Sequence, residues 1–303
     1  MMKRAFTMIE LVVAIVISGI LLSIGVKIFN VIYTNYIRQK SIVELESISK
    51  TVIEQIEKRL SYRIKPTLSM KIGDNYKALD KATEAEDGNE KYPLIWYMQS
   101  YETQRIFDSV TGNRIFGWSG FINLDKDKTF PDASGLTINS PGSNFSKIKD
   151  TITDLGFSDL FIVFKVDPEN NDQYYKKTDN INPLVHKIEI KDDTNLSIKK
   201  PKFLEKKDTN TLEISELYYL SHSINQLSID NSNNLLLTEF IPFGNNDGTQ
   251  KKVSENVLTK NVSSLRFMYL GGSDSISIKL CLEDPNFKIN DQQLEVCKTQ
   301  VVQ

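Results

Sequence analysis

Hydrophobic positions divide the chain into three textures. From Phe6 to Val26 apolar and small residues run almost unbroken, with no proline and one acidic residue, Glu10. At ~1.5 Å per residue, a helix of that length spans about 30 Å, the thickness of a bilayer's hydrocarbon core. Val31 to Ile64 again lacks glycine and proline, but its pattern is amphipathic. Leu45, Ile48, Val52, Ile56 and Leu60 recur at spacings of three and four, with Glu44, Glu46, Lys50, Glu54, Glu57, Lys58 and Arg59 between them. Together these stretches predict one helix from about Phe6 to Ile64, near 90 Å long at ~1.5 Å per residue. Pro66 ends it, because the residue before a proline avoids the α region. The stripe has too few clean heptads to favour a parallel coiled coil.

After Pro66 the period changes. Residues 67–91 are polar and read as loop. Short β-like runs then alternate with turn-rich segments: Leu94–Met98, Gly117–Leu124, Leu160–Val166, Leu184–Ile190, Leu212–Leu220, Leu235–Phe243, Leu265–Leu270, Ser275–Leu282 and Leu294–Val302. Ile276, Ile278, Leu280 and Leu282 share one face of the cleanest of these. Asn256 to Ser264 reads as a short helix or an extended linker. The fold class expected is α+β: a long N-terminal helix packed on an antiparallel β-rich globular domain over 66–303, with a possible insertion at 67–156. No internal repeat stands out.

Composition narrows the classes. Apolar residues make up 40 % and charged residues 25 %, enough for a real core. The ~270 residues beyond the anchor suffice for one large or two small domains. A net charge of −2 and a pI near 5.9 argue against a nucleic-acid-binding domain, which is usually basic.

The N-terminal segment carries the sharpest signal. Lys3 and Arg4 precede the apolar run, which predicts a cytoplasmic N-terminus. Tyr33 and Tyr36 lie just past it, where aromatic side chains favour the membrane boundary. No small-residue cleavage site closes the run; Lys27, Phe29 and Asn30 follow instead. Glu10 is an ionisable group inside a membrane-length helix, a functional hypothesis by default, and it calls for a positive partner. A free α-amino group created just upstream would supply one.

The stretch Lys3-Arg4-Ala5-Phe6-Thr7-Met8-Ile9-Glu10-Leu11 resembles the type IV prepilin motif, a basic leader followed by G-F-T-L-I-E. Ala5 stands in place of the usual glycine and Met8 in place of leucine. The resemblance implies a leader at 1–5, an assembly helix at 6–28 and its amphipathic continuation at 29–65. Prepilin peptidase/methyltransferase would cut between Ala5 and Phe6 and methylate Phe6. Glu10 would pair with the Phe6 amine of an adjacent pilin or pseudopilin. Implied partners are those subunits, an inner-membrane assembly platform and membrane lipid. The chain would cross the inner membrane once, its C-terminal domain periplasmic, and the amphipathic half of the helix would pack on a sheet. An uncleaved anchor that happens to hold a glutamate is the alternative. Ala14/Ser18 and Gly19/Ser23 permit close helix approach, while Lys27 stands about where such helices often carry a proline. More loosely, Glu216–Ser223, Asn233–Phe243 and Val257–Leu270, running into Ser275–Leu282, look like the C-terminal half of W-type minor pilins and J-type pseudopilins.

Other candidate chemistry is sparse. Cys281 and Cys297 are the only cysteines. If 285–292 forms the connection, an antiparallel hairpin sets them almost opposite, at ~4.5–5.5 Å between Cα atoms, which suits a disulfide. Two free buried thiols are the alternative. Asp125, Asp127 and Asp132, and Asp167, Glu169 and Asp172, offer hard oxygens but match no EF-hand loop, so solvated turns are expected. His186 and His222 sit in predicted strands with no nucleophile motif around them. No phosphate loop, Cys-x-x-Cys or HExxH occurs, so neither enzyme nor cofactor nor metal is expected. Lysine groups at 176–177, 199–202, 206–207 and 251–252, some beside Tyr174, Tyr175 and Phe203, would suit DNA, which the net charge does not support. Three functions fit: a subunit of a pilus or type II secretion machine, a competence pseudopilus subunit, or an anchored periplasmic binding module.

Overall fold

The computed structural model describes residues 7–82, 92–108, 111–131, 135–157, 159–166, 171–176, 184–199, 214–244, 249–271, 274–289 and 292–303. In chain order, α1 (Met8–Ser61) leads to β1 (Ser69–Ile72), β2 (Asn75–Ala78) and β3 (Leu94–Met98). Then come α2 (Tyr101–Gln104), β4 (Arg105–Asp108), β5 (Asn113–Phe116), β6 (Phe130–Pro131), β7 (Gly135–Asn139) and α3 (Phe145–Asp154). They are followed by β8 (Phe161–Phe164), α4 (Asp172–Tyr175), β9 (Val185–Ile190), β10 (Asn195–Lys199) and β11 (Tyr218–Ser221). The chain closes with β12 (Ser223–Ile229), β13 (Leu235–Ile241), β14 (Lys251–Thr259), β15 (Val262–Leu270), β16 (Ser275–Ile289) and β17 (Gln292–Val302).

This is an α+β fold built in layers. One six-stranded sheet has the order β14-β13-β12-β3-β1-β2, and a second has the order β11-β8-β9-β10-β7-β6. β15-β16-β17 form a third sheet, and β4-β5 a separate hairpin. Every strand pairing is antiparallel. The period-2 alternation of side chains explains the stacking. On β3, Leu94 and Trp96 enter the core that holds α1, while Ile95 and Tyr97 enter the core between the two large sheets. On β8, Phe161 and Val163 meet that middle core, and Ile162 and Phe164 face a third core capped by α3. Both strands are continuous apolar runs because both their faces are covered.

The second sheet is built wholly from chain between β3 and β12. The passage out and the passage back lie side by side, since Ser100 N–H donates to Leu220 O at 2.8 Å. The chain returns to the first sheet at His222, the single residue between β11 and β12.

Helix α1 behaves as two halves. Its first part leaves the large apolar side chains from Met8 to Tyr36 at least half exposed. In its second part Val52, Ile53, Ile56 and Leu60 are buried against β3, β12, β13 and the third sheet. The buried stripe runs Ser41, Ser49, Val52, Ile53, Ile56 and Leu60, so Ile48 lies at its rim and stays exposed. The helix ends at Ser61, short of the expected Ile64, because the first sheet recruits the next backbone: Arg63 bridges Met98, and Ile64 N–H donates to Tyr97 O at 2.9 Å. Arg63 turns its guanidinium back to the last turn, donating to Leu60 O at 2.7 Å.

Several expectations need correction. Part of 67–91, expected as loop, forms the hairpin β1–β2, whose short strands mix polar residues such as Lys71, Asn75 and Lys77 with the buried Met70 and Tyr76; 83–91 lies outside the described residues. Gly117–Leu124 is no strand: Trp118 and Ile122 are buried, yet the segment makes only one bridge, Phe121 to Leu217. Gly120 takes φ +80°, which breaks an extended run. Gly117 has no room for a side chain, as a Cβ there would stand 2.0 Å from Thr103 O. Asn256–Ser264 is neither helix nor linker but the end of β14, a turn with Asn261 at φ 57°, and the start of β15. His222 lies at the crossover rather than within a strand. Helix α3, strands β4, β5, β6, β7, β10 and β12 and the first part of β14 form where the sequence pattern predicts no element, and the expected strand Leu212–Leu220 pairs as β11 only from Tyr218.

Candidate functional site: the N-terminal helix and its carboxylate

Lys3, Arg4, Ala5 and Phe6 lie outside the described residues. From Thr7 onward the local structure follows from capping chemistry. Thr7 is extended at φ −78° and ψ 149°, and its Oγ1 accepts from Glu10 N–H at 3.4 Å. The Glu10 carboxylate reaches back, accepting from Thr7 N–H at 2.9 Å and from the Thr7 hydroxyl at 2.8 Å. That reciprocal capping box satisfies donors a helix start otherwise leaves open. It also sets a carboxylate on the positive end of the helix dipole.

Beyond the cap the helix is long and apolar enough to cross a membrane, and its most apolar stretch is not buried by the other described residues. Phe29 and Tyr33 stack with ring centroids 6.1 Å apart just past the apolar run. Gly19 and Gly25 face open space, with nothing within 4 Å of a Cβ built there. The arrangement is a membrane-length apolar segment that begins at one carboxylate and continues, within the same helix, into the globular body.

The two cysteines are directly opposed across β16 and β17 and joined by a disulfide, with Cα atoms 4.0 Å apart. Their surroundings differ from expectation. Strand β16 continues to Ile289, so 285–292 is not all connection. The register passes from Asp284 opposite Leu294 to Lys288 opposite Gln293, leaving residues 285–287 as a bulge. The bulge lies over α1, where the Ser41 hydroxyl donates to Asp284 Oδ2. Glu295 has a carboxylate oxygen near the sulfurs, but the sulfurs are bonded to each other and offer no thiolate to a metal.

The remaining candidates resolve into structural roles where they are described. Asp125 organises its own turn, its Oδ1 accepting from Asp127 N–H at 3.2 Å. Asp172 accepts from Tyr76 N–H at 2.6 Å and from Lys176 Nζ at 2.8 Å. Asp132, Asp167 and Glu169 lie outside the described residues, as do Lys177, Lys200, Lys202, Phe203, Lys206 and Lys207. Lys252 pairs with Glu255 at 2.7 Å. His186 meets the edge of Phe164, with centroids 5.9 Å apart. His222 is buried against Phe157, with Nδ1 3.1 Å from Ser100 Oγ. That serine is itself fully buried, so the pair is a satisfied core contact that no substrate reaches. Burial pushes the His222 pKa down despite the nearby Glu102 and Glu239 carboxylates.

Residues 1–26 match the family model of the prokaryotic N-terminal methylation motif. No curated protein and no solved structure matches the chain. The motif supports a type IV pilin-like protein in general, a class of structural subunits. It implies processing by prepilin peptidase and assembly with other pilins. The exposed apolar helix is consistent with a single-pass membrane anchor.

Proposed function

We propose that this chain is a minor pilin or pseudopilin that initiates or tips a fibre of a type IV pilus or type II secretion-like machine. One observation carries the reading: the motif-bearing N-terminal half of α1 leaves its apolar surface uncovered, and its Glu10 carboxylate meets only the local Thr7 cap among the described residues. Such a surface needs a bilayer first and neighbouring helices afterwards. Lys3 and Arg4 hold the leader in the cytoplasm, the peptidase cuts between Ala5 and Phe6, and Phe6 is methylated. On assembly the Glu10 carboxylate exchanges its bonds with Thr7 for the Phe6 amine of a neighbour, so that no lone charge stays in the apolar fibre core. The layered body behind the helix is bulky for repeated stacking along a thin fibre and suits a place at its end. The test is Glu10→Val in cells that make the fibre. The variant is expected to be processed normally but to be missing from sheared fibre fractions; undiminished incorporation would overturn the assembly role of Glu10.

A further inference from the structure

The tripeptide Arg-Ile-Phe occurs twice, at Arg105–Phe107 and at Arg114–Phe116, on either side of a turn. The antiparallel register of β4 and β5 sets Arg105 opposite Phe116 and Phe107 opposite Arg114. Alternate residues share a face, so the repeat becomes a checkerboard of two guanidiniums and two rings on one side of the hairpin. Phe107 is 68 % and Phe116 52 % exposed, and both arginines are exposed. The Arg105 guanidinium lies over the Phe116 ring, 5.4 Å from its centroid. Among the described residues no carboxylate pairs with either arginine. The hairpin's own acid, Asp108, is buried and bound to Lys147 at 2.6 Å and to the Thr111 hydroxyl at 2.7 Å.

We propose that this face binds single-stranded nucleic acid. Two exposed rings offer stacking platforms for bases, and the two guanidiniums flanking them offer phosphate contacts, the combination on which single strands are held without sequence readout. An acidic protein would use the charges but have no need of bare rings between them. The chain's own bilayer is out of reach. The hairpin is rooted beside the C-terminal end of α1, where Gln99 N–H donates to Tyr62 O and Gly117 N–H to Gln104 O. The apolar segment ends about 50 Å back along the helix, whereas a four-residue strand reaches only ~13 Å. A chain with a net charge of −2 binds this way through a local patch, hence modestly and over a short site.

The test uses the full chain in neutral detergent micelles and a fluorescent oligothymidylate of about 12 nucleotides, read by anisotropy, with polyglutamate as competitor. Binding is expected to weaken about sevenfold between 50 and 200 mM salt, as two single-strand phosphate contacts require. Phe107→Ala and Phe116→Ala are each expected to lose about fivefold or more, while Phe107→Tyr and Phe116→Tyr retain affinity. The tyrosine pair, with an unchanged melting curve, separates loss of stacking from loss of folding. No binding by the wild-type chain, or ring variants that bind as it does, would overturn the proposal. Equal displacement by polyglutamate would also overturn it and point to an acidic protein instead. The measurement needs neither peptidase nor fibre, so either result leaves the pilin reading standing.

Discussion

Cys281 and Cys297 stand opposite each other on β16 and β17, 4.0 Å apart at Cα, on the regular side of a bulge that shifts the rest of the hairpin. The bond therefore fastens the part of the third sheet that covers α1, where Ile278, Leu280 and Leu282 enter the core with Val52 and Ile56.

Replacing both cysteines by serine is expected to lower stability by about 3 kcal/mol, chiefly by freeing the unfolded chain. Urea unfolding in detergent checks this. Reductant should bring the wild type to the variant's midpoint and leave the variant unmoved. A reductant-sensitive variant, or a wild type indifferent to reduction, would show that the bond does not carry this stability.

The halves of α1 should differ in their response to side-chain truncation. Leu60 is fully buried, so Leu60→Ala is expected to cost about 2–5 kcal/mol. Leu21 is 64 % exposed, so Leu21→Ala should leave unfolding of the globular body within error of the wild type. Thermal melts of the two variants side by side decide it.

His222 gives the body a pH dependence. Its folded pKa lies below the ordinary 6.5 because burial disfavours the imidazolium. Above about 6.5 both folded and unfolded chains hold it neutral, and its packing is intact. As pH falls below that value the unfolded chain takes up a proton that the folded chain resists, so stability drops by up to about 1.4 kcal/mol per pH unit until the folded pKa is reached. His222→Gln removes this contribution. The gap in melting temperature between wild type and variant should therefore shrink from pH 7.5 to pH 5; a constant gap would contradict the assignment.

Much of this architecture was legible where a single physical rule governs. Ile276, Ile278, Leu280 and Leu282 alternate cleanly because one face of β16 is buried. Leu94–Met98 reads as a strand because both of its faces are buried. The unbroken apolar run and the three-and-four spacing of Leu45, Ile48, Val52, Ile56 and Leu60 mark α1 because neither depends on distant chain. The misreadings arise where tertiary context decides. Gly117–Leu124 has the composition of a strand, but its hydrogen bonds go to scattered partners. The 285–287 bulge adjoins Asp284, whose partner Ser41 lies 243 residues away in the chain. Ser49 looks like a surface serine until the helix face turns it inward. The Arg-Ile-Phe repeat was present in the sequence, but only the register of the hairpin shows that its rings and charges share one face.

The most direct test is the mass and sequence of the mature N-terminus, from cells with and without prepilin peptidase. The account predicts a chain beginning at N-methylated Phe6 only when the peptidase is present. A chain that keeps Lys3 and Arg4 in both strains would contradict it and leave an anchored domain with its Glu10 unexplained.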